Sequence, residues 1–366
     1  MLLMLLLAAG TMVGHSQTDC FTYDENNATI IKGLTDYGKA ATELIIPSTV
    51  TAVNGGAFSN ANSRLSTLTI DGGNPAFESG LFGEKTSTLT YINMGSGMSA
   101  TNMYSLLTSL GPRGALQTVE IGGYSDGPVN WTDETIKSIL VGGVDGVRVI
   151  MPAALVADQV FGDATVYGRF VIDKELITFC GNATFQDVDN GSNMLFYVAD
   201  RIEDQQVHIQ RVHYIAAGQG VLIHKTASLQ GYADLPRVSA GTSIETDAAL
   251  YTSNMLVGVT EPTNIDPTGD NCTNYVLKDG AFHPVKQGGG NIAANKAYLR
   301  LPTTSQSRTG SFSICFPDDV ETEISELAIE REDGADARIY DLQGRCVDRA
   351  SLKKGLYIVD GRKFMK

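Results

Sequence analysis

A repeated pattern of apolar residues is the feature of this 366-residue chain that most restricts its fold. Each unit has an apolar residue, two variable residues, a second apolar residue, one variable residue and a third apolar residue, with Thr86 filling one apolar place. The central residue recurs at intervals of 24, 21, 30 and 28 residues. Each triplet is typical of a short strand with one buried face, and a unit this short needs stacked neighbours to close a core. The triplets are Ala41/Leu44/Ile46, Leu65/Leu68/Ile70, Thr86/Leu89/Tyr91, Leu116/Val119/Ile121 and Val144/Val147/Val149.

The first two units also carry turn residues between their strands. Residues 44–53 read Leu-Ile-Ile-Pro-Ser-Thr-Val-Thr-Ala-Val, and Gly56-Ala57-Phe58-Ser59 follows them. Pro47 ends the strand because it has no N–H for the ladder. Residues 74–77, Asn-Pro-Ala-Phe, look like a variant of the next turn. This stretch resembles the BspA-like leucine-rich repeat, over residues 28–170 in all and most specifically over 28–80. The resemblance implies a short, degenerate leucine-rich-repeat solenoid over residues 17–175 and a role in attachment to host matrix proteins.

From about Thr178 onward the texture changes to strand-like runs separated by Gly-, Asn- and Asp-rich turns. This pattern predicts an antiparallel β-sandwich or barrel over residues 176–318, so the whole chain is expected to be mainly β. Residues 215–223, 254–258, 273–277, 280–284 and 292–299 resemble a β-domain common in secreted proteins of anaerobic Gram-negative bacteria. The predicted strands are Met194–Ala199, Val207–Val212, Gly220–His224, Asn274–Leu277 and Lys296–Leu301.

The N-terminal segment is almost wholly apolar up to Gly14. It is too short to cross a bilayer, which takes about 20 residues, and small residues precede Gln17. We therefore expect a signal peptide at residues 1–16, although no Lys or Arg precedes the apolar run; a buried N-terminal helix is the alternative. No later stretch is long and apolar enough for a helical span, so no transmembrane segment is expected in the mature chain.

The C-terminal end has an acidic linker at residues 319–336 and a short tail at residues 337–366. Ala337–Arg345 and Lys354–Val359 are similar to the C-terminal sorting domain of the type IX secretion route. That similarity implies a secreted protein or one held at the outer cell surface. An ordinary C-terminal β-hairpin is compatible with the same alternating residues.

Composition and motifs narrow the function classes. The formal net charge of −14 argues against a nucleic-acid partner, which needs a basic surface. No HExxH, CxxC or phosphate-binding glycine motif occurs, and no Gly-x-Ser-x-Gly elbow leads from a strand into a helix. The odd spacing of His208 and His213 puts them on opposite faces of a strand. We therefore expect no catalytic residues, no metal and no cofactor. The five cysteines are scattered, and their spacing demands no disulfide: Cys20, Cys180, Cys272, Cys315 and Cys346.

Two aromatic residues are the candidate ligand contacts, Tyr124 and the only tryptophan, Trp131. The leading hypothesis is a secreted or cell-surface adhesion protein that binds host protein or matrix through its repeat domain. The alternative is an accessory glycan-binding protein associated with polysaccharide use. A third hypothesis is a hydrolase that uses two acidic residues of the β-domain. The sequence leaves the identity of the ligand and the oligomeric state open.

Overall fold

The structure is a computed structural model, and it describes residues 17–84, 87–110, 116–123, 125, 147–156, 165–187, 193–226, 229, 231–238, 248–303, 310–317, 339–340, 346–347, 356–359 and 362–365. The chain forms two compact units, Met1–Ile314 and Cys315–Lys366. Strands dominate both units, so the prediction of a mainly β protein is confirmed. Among the described residues no helix is long and apolar enough to cross a membrane.

The first part of unit 1 alternates short strands with turns, and its described residues include two helices. The helices are α1 (Asp36–Ala40) and α2 (Ala100–Ser109), and 3-10 turns lie at Gln17–Cys20 and Ala153–Leu155. The strands are β1 (Phe21–Tyr23), β2 (Ile30–Leu34), β3 (Glu43–Pro47), β4 (Ala52–Val53), β5 (Thr67–Asp71), β6 (Ala76–Phe77), β7 (Tyr91–Asn93), β8 (Thr118–Glu120), β9 (Arg148–Pro152) and β10 (Thr165–Val171).

Six of these strands, β3, β5, β7, β8, β9 and β10, pair in parallel in chain order. We call the sheet that they form the stacked sheet. One fully buried residue of each strand from β3 to β9 aligns with its counterpart on the next strand. These aligned residues are Leu44, Leu68, Ile92, Val119 and Val149. The repeated apolar segments therefore form neighbouring parallel strands with one face in the core.

Two of the predicted triplets were placed in the wrong register. The third was centred on Leu89, but Ile92 pairs with Leu68 and Leu89 takes the place before the strand. The fifth was centred on Val147, but Val149 pairs with Val119. In both segments apolar residues recur at several alternating positions, so the apolar pattern fits more than one register. The observed spacing of the central residues is 24, 24, 27 and 30 residues.

A second, smaller sheet lies behind the first units, in the order β1-β2-β4-β6. Strands β2, β4 and β6 are parallel, so this edge has the same progression as the stacked sheet. Phe58 is fully buried between Phe21 and Phe82, with ring centroids 6.5 and 5.9 Å away. Ala57 is also buried. Helix α2 buries Met103, Leu106 and Leu107.

The second part of unit 1 is built largely from antiparallel strands, with one short helix, α3 (Ala248–Thr252). All five strand-like runs predicted from the sequence fall on strands. The strands are β11 (Leu176–Phe179), β12 (Phe185–Gln186), β13 (Met194–Glu203), β14 (Gln206–Val212), β15 (Tyr214–Ile215), β16 (Val221–Lys225), β17 (Tyr232–Pro236), β18 (Leu256–Val259), β19 (Thr263–Ile265), β20 (Thr268–Gly269), β21 (Cys272–Lys278), β22 (Ala281–Pro284), β23 (Gly290–Ile292), β24 (Lys296–Pro302) and β25 (Phe312–Cys315).

Ten of these strands form a nearly closed, barrel-like sheet in the order β11-β16-β13-β14-β25-β22-β21-β24-β18, with β20 attached to β21. The edge strand β11 comes back to β24, where the Ala297 N–H donates to Thr178 Oγ1 at 3.2 Å. Gly258 on β18 packs against the buried Cys180, and a Cβ there would lie 2.3 Å from the Cys180 sulfur. Of the two architectures predicted, a sandwich and a barrel, the nearly closed sheet resembles the barrel.

Strand β17 follows the barrel strand β16 in the chain but belongs to the stacked sheet. It pairs antiparallel with β10, so the complete order of the stacked sheet is β17-β10-β9-β8-β7-β5-β3. Beneath this junction the ring of Phe170 lies 5.0 Å from that of Phe179 and 5.2 Å from that of Phe185. One hydrophobic core therefore continues from the first strands into the barrel. The domain boundaries proposed from the sequence stay predictions.

Unit 2 contains four short antiparallel strands in the order β27-β26-β28-β29. These strands are β26 (Ile339–Tyr340), β27 (Cys346–Val347), β28 (Leu356–Val359) and β29 (Arg362–Met365). Strand β28 pairs with both β26 and β29. The acidic linker predicted at residues 319–336 lies outside the described residues.

Candidate functional site

The side of the stacked sheet that faces away from the core carries the richest set of polar contacts in the described part of unit 1. Side chains alternate along each strand, so the residues next to the buried central positions point to this outer side. We call it the open face. On β7 to β10 and β17 it carries a group that we call the Arg169 cluster. Its members are Tyr91, Glu120, Arg148, Tyr167, Arg169, Tyr232 and Asp234.

Arg169 is the centre of this cluster. Its Nε lies 2.8 Å from Asp234 Oδ1 and its Nη2 lies 3.0 Å from Asp234 Oδ2, which is a bidentate pair. Its Nη1 also donates to Glu120 Oε1. Strand pairing produces this geometry, because Arg169 on β10 is directly opposite Asp234 on β17. A planar guanidinium bound to two carboxylates holds all three side chains in one arrangement.

These contacts shift the pKa values of two members of the cluster, Arg169 and Tyr91. Burial by itself lowers the pKa of Arg169, but the hydrogen bond to Asp234 and the charges of Glu120 and Asp234 outweigh burial and raise that pKa. Burial, and then the hydrogen bond to Glu120, raise the pKa of Tyr91 above its ordinary value. Tyr91 therefore stays a phenol that donates to Glu120 Oε2 at 2.7 Å.

Two guanidinium–tyrosine contacts border the cluster. The Arg148 Cζ lies 3.9 Å from the centroid of the Tyr167 ring, and the Arg169 Cζ lies 4.2 Å from that of Tyr232. Arg148 also reaches Asp234, with 3.5 Å between Nη2 and Oδ2. Such contacts between a cation and an aromatic face contribute about 0.5–1 kcal/mol each at exposed positions. They limit the side-chain motion of two tyrosines that face solvent.

An exposed apolar pair adjoins the cluster. Val171 is 70% exposed and Tyr232 is 47% exposed, and the two residues are opposite each other in the β10–β17 pair. Because Val171 and Arg169 have the same parity on β10, the apolar pair and the cluster share the open face. This combination of an exposed aromatic ring, an aliphatic side chain and fixed charges suits recognition of a ligand surface.

The carboxylate oxygens of the cluster are taken up by hydrogen bonds within it. Arg169 occupies an oxygen of Glu120 and both oxygens of Asp234, and Tyr91 occupies the other Glu120 oxygen. Two arginines and two carboxylates leave the group with no net charge. Neither carboxylate is arranged as a free general base, since both of its oxygens already accept hydrogen bonds.

The candidate contacts chosen from the sequence, Tyr124 and Trp131, lie outside the described residues. Sequence reasoning missed the Arg169 cluster. Tyr91 was assigned to the buried side of the third triplet, whereas its strand register puts it on the open face. The sequence signal for this cluster is the residue just before the central apolar residue of each unit. These residues form a row across the sheet, which includes Tyr91 and Arg148. That row becomes visible only in the correct register.

Elsewhere in the described part of the chain, two histidines each lie near one glutamate. His208 Nε2 lies 3.8 Å from Glu203 Oε2, and His224 Nε2 lies 3.6 Å from Glu175 Oε1. In the described ranges no three His, Cys, Asp or Glu side chains come close enough together to hold a metal ion. The four cysteines whose side chains are described, Cys20, Cys180, Cys272 and Cys315, are free thiols. Burial raises the pKa of Cys180.

Comparisons of the chain with protein-family models, with curated proteins and with solved structures found no match.

Proposed function

We propose that this protein is a secreted or cell-surface interaction module that binds an extracellular protein or matrix component on the open face of the stacked sheet. In this proposal residues 17–175 form a short leucine-rich-repeat solenoid of the BspA-like kind. The observation that carries the proposal is the exposed Val171–Tyr232 pair beside the Arg169 cluster. The ordered residues span five neighbouring strands, so a ligand meets a surface that has little side-chain entropy left to lose.

The repeat part of the proposal rests on how successive units stack. Gly56 and Gly80 both have positive φ, of 73° and 70°, and the Gly56 N–H donates to the Gly80 carbonyl at 2.8 Å. Phe58 and Phe82 follow each glycine by two residues, and their rings touch. A turn and a buried ring that return after 24 residues support a repeat unit of that length.

The export part rests on the two ends of the sequence. The apolar segment before Gln17 and the sorting-like tail at residues 337–366 support a route out of the cytoplasm. A tagged full-length chain produced in a Gram-negative host that has the type IX route tests this proposal. We expect the protein in the medium or at the cell surface, and retention in the cytoplasm would contradict the proposal.

The binding proposal is tested with the purified protein against immobilised extracellular-matrix proteins and a glycan array. We expect saturable binding to a matrix protein. Val171→Asp places a charge in the apolar pair, and Tyr232→Ala removes the exposed ring, so each should weaken binding about tenfold or more. Tyr37→Ala is the matched control, because Tyr37 is 52% exposed on α1 and lies away from the open face.

Thermal unfolding of each variant separates lost binding from lost folding. Val171→Asp is the decisive variant, since a side chain that is 70% exposed can be changed at little cost to the fold. Equal affinities of Val171→Asp and the unchanged protein would refute a ligand site on this face. Binding to neither a protein nor a glycan would count against both candidate functions.

Glycan binding is the second candidate function, and Tyr232 is the observation that favours it. Its half-exposed ring lies beside the hydrogen-bonding groups of Arg169 and Asp234. Aromatic rings pack against the apolar faces of sugars, and neighbouring polar groups bind the hydroxyls. Signals on the glycan array that Tyr232→Ala abolishes, without binding to any matrix protein, would favour this alternative.

A further inference from the structure

A cavity at one end of the barrel-like sheet, remote in sequence from the Arg169 cluster, has a lining of unusual charge. Its volume is about 450 Å³, within the range of small-molecule sites. The lining comes from the ends of β21 and β22, the starts of β23 and β24, and Thr178 on β11. Four residues of the lining are basic, namely Lys278, His283, Lys286 and Lys296, and none is acidic. In a chain of net charge −14, such a concentration of basic groups in one cavity calls for a physical explanation.

The positions of two lysines depend on the local backbone. Lys286 lies in the tight turn between β22 and β23, in which the Gly289 N–H donates to the Lys286 carbonyl at 3.1 Å. Gly288 and Gly289 in this turn have φ of 94° and 86°, which favours glycine. The strands that this turn joins, β22 and β23, belong to different sheets. Lys296 begins β24 on the other side of the cavity.

The ammonium groups of Lys286 and Lys296 are available for a ligand. Neither lysine has a carboxylate within 4.0 Å in the part of the chain that the structure describes, whereas Lys278 lies 4.0 Å from Asp279. His283 is oriented by a 2.7 Å contact between its Nδ1 and Ser311 Oγ. The cationic side of the cavity is therefore not neutralised by an acidic side chain of its own lining.

Apolar side chains form much of the rest of the lining, beside the polar residues Thr178 and Asn291. Val276, Val285 and Ile292 belong to a small hydrophobic cluster, distinct from the main core, in which Ile265 and Tyr298 also pack. The two-stranded sheet of β19 and β23, in which Ile265 is opposite Gly290, contributes Ile265 and Ile292 to this cluster. An occupant thus meets both hydrocarbon and ammonium groups.

We propose that this cavity is a binding site for a small organic anion with an apolar body and a carboxylate, sulfonate or phosphate head. The apolar body packs against Val276, Val285 and Ile292, and the head pairs with Lys286 and Lys296. A cavity of about 450 Å³ accommodates a ligand with two fused or linked rings, or a medium-length acyl chain. This site is independent of the ligand proposed for the open face.

The test uses 8-anilinonaphthalene-1-sulfonate and, as its uncharged counterpart, N-phenyl-1-naphthylamine. Fluorescence and calorimetric titration of the full chain should show one saturable site for the sulfonate, with an affinity that falls as salt is added. In the double variant Lys286→Gln, Lys296→Gln we expect sulfonate affinity to fall about tenfold or more, because charge-assisted contacts are lost, while affinity for the uncharged amine stays within about twofold. Lys174→Gln, an exposed lysine outside the lining, is the matched control and should change neither affinity.

A third variant fills the cavity without changing its charge. Ala293 is an exposed residue of the lining, so Ala293→Trp should block both probes and leave thermal unfolding unchanged. Competition then identifies the ligand class: octanoate and naphthyl phosphate should displace the sulfonate, and inorganic phosphate at the same concentration should not. Absence of a saturable sulfonate site, equal affinity in the double lysine variant, or displacement by inorganic phosphate alone would each overturn the proposal.

Discussion

Arg169 is the residue on which the polar contacts of the open face converge. Its side chain is 19% exposed, as is that of Glu120, and that of Asp234 is 12% exposed. Removal of the guanidinium takes the shared counter-charge from two poorly solvated carboxylates, although Asp234 keeps its longer contact with Arg148. Loss of that counter-charge is more costly than loss of the hydrogen bonds alone.

Arg169→Ala is therefore expected to lower the free energy of unfolding by about 2–4 kcal/mol. Arg169→Lys should recover only part of it, because an ammonium group cannot form the bidentate pair. Arg300→Ala is the control: Arg300 lies 2.8 Å from Asp270, but this pair is exposed and should contribute less than about 1 kcal/mol. Urea denaturation at pH 7 measures all three variants, and equal losses for Arg169→Ala and Arg300→Ala would contradict this account.

Tyr197 predicts a dependence of stability on pH. Burial raises the pKa of this fully buried tyrosine to about 12, although Arg211 lowers it. The unfolded chain loses this proton near pH 10 and the folded chain holds it to about pH 12. The stabilising contribution is therefore complete below pH 10 and is lost as the pH rises from 10 to about 12.

Tyr197→Phe cannot ionise, so it should escape this loss. Between pH 8 and pH 11 its free energy of unfolding should fall by about 1 kcal/mol less than that of the unchanged protein. The measurement is urea denaturation of both proteins at the two pH values, so that the pH 8 pair serves as the reference. Parallel curves for the two proteins would show that Tyr197 does not ionise differently in the folded and unfolded states.

At the scale of elements, glycines set how closely successive turns of the stacked sheet approach. A Cβ on Gly95 would lie 2.6 Å from the Ile70 carbonyl oxygen, and a Cβ on Gly122 would lie 2.6 Å from the Gly95 carbonyl oxygen. Gly95 also has a φ of 61°, which disfavours other residues. The contacts join turns that follow β5, β7 and β8, so they fix the approach of one unit to the next.

Gly95→Ala should destabilise unit 1 by about 2 kcal/mol or more, since it combines an unfavourable φ with a backbone clash that cannot relax alone. Gly269→Ala is the matched control, because a Cβ there meets nothing within 4 Å and its φ is not positive. Thermal unfolding of both variants checks this prediction. Comparable unfolding temperatures would show that the turns do not need the glycine.

The elements themselves were largely accessible from the sequence. Residues that alternate cleanly, such as Leu44 and Ile46 or Leu68 and Ile70, gave the correct strands and register. The predicted register was wrong around Leu89 and Val147. In both segments an apolar residue just before the strand was taken for the central residue of the unit. The failure at Leu89 mattered for the site, because it turned Tyr91 towards the core.

At the scale of the whole molecule, the junction between the stacked sheet and the barrel could not be predicted. The pair between Arg169 and Asp234 joins residues 65 positions apart, and no local periodicity marks β17 as a partner of β10. Propensity describes local structure, whereas antiparallel pairing across such a distance depends on how two sheets pack. The Arg169 cluster lies at this junction, which is why the candidate site was missed.

The central claim is that the open face near β10 and β17 carries the ligand. Hydrogen–deuterium exchange of the full chain, alone and saturated with the matrix protein or glycan that it binds, tests this claim most directly. The account predicts slower exchange in residues 165–171 and 232–236 on binding, with residues 256–302 of the barrel unchanged. Slower exchange confined to residues 256–302, or to Cys315–Lys366, would contradict it.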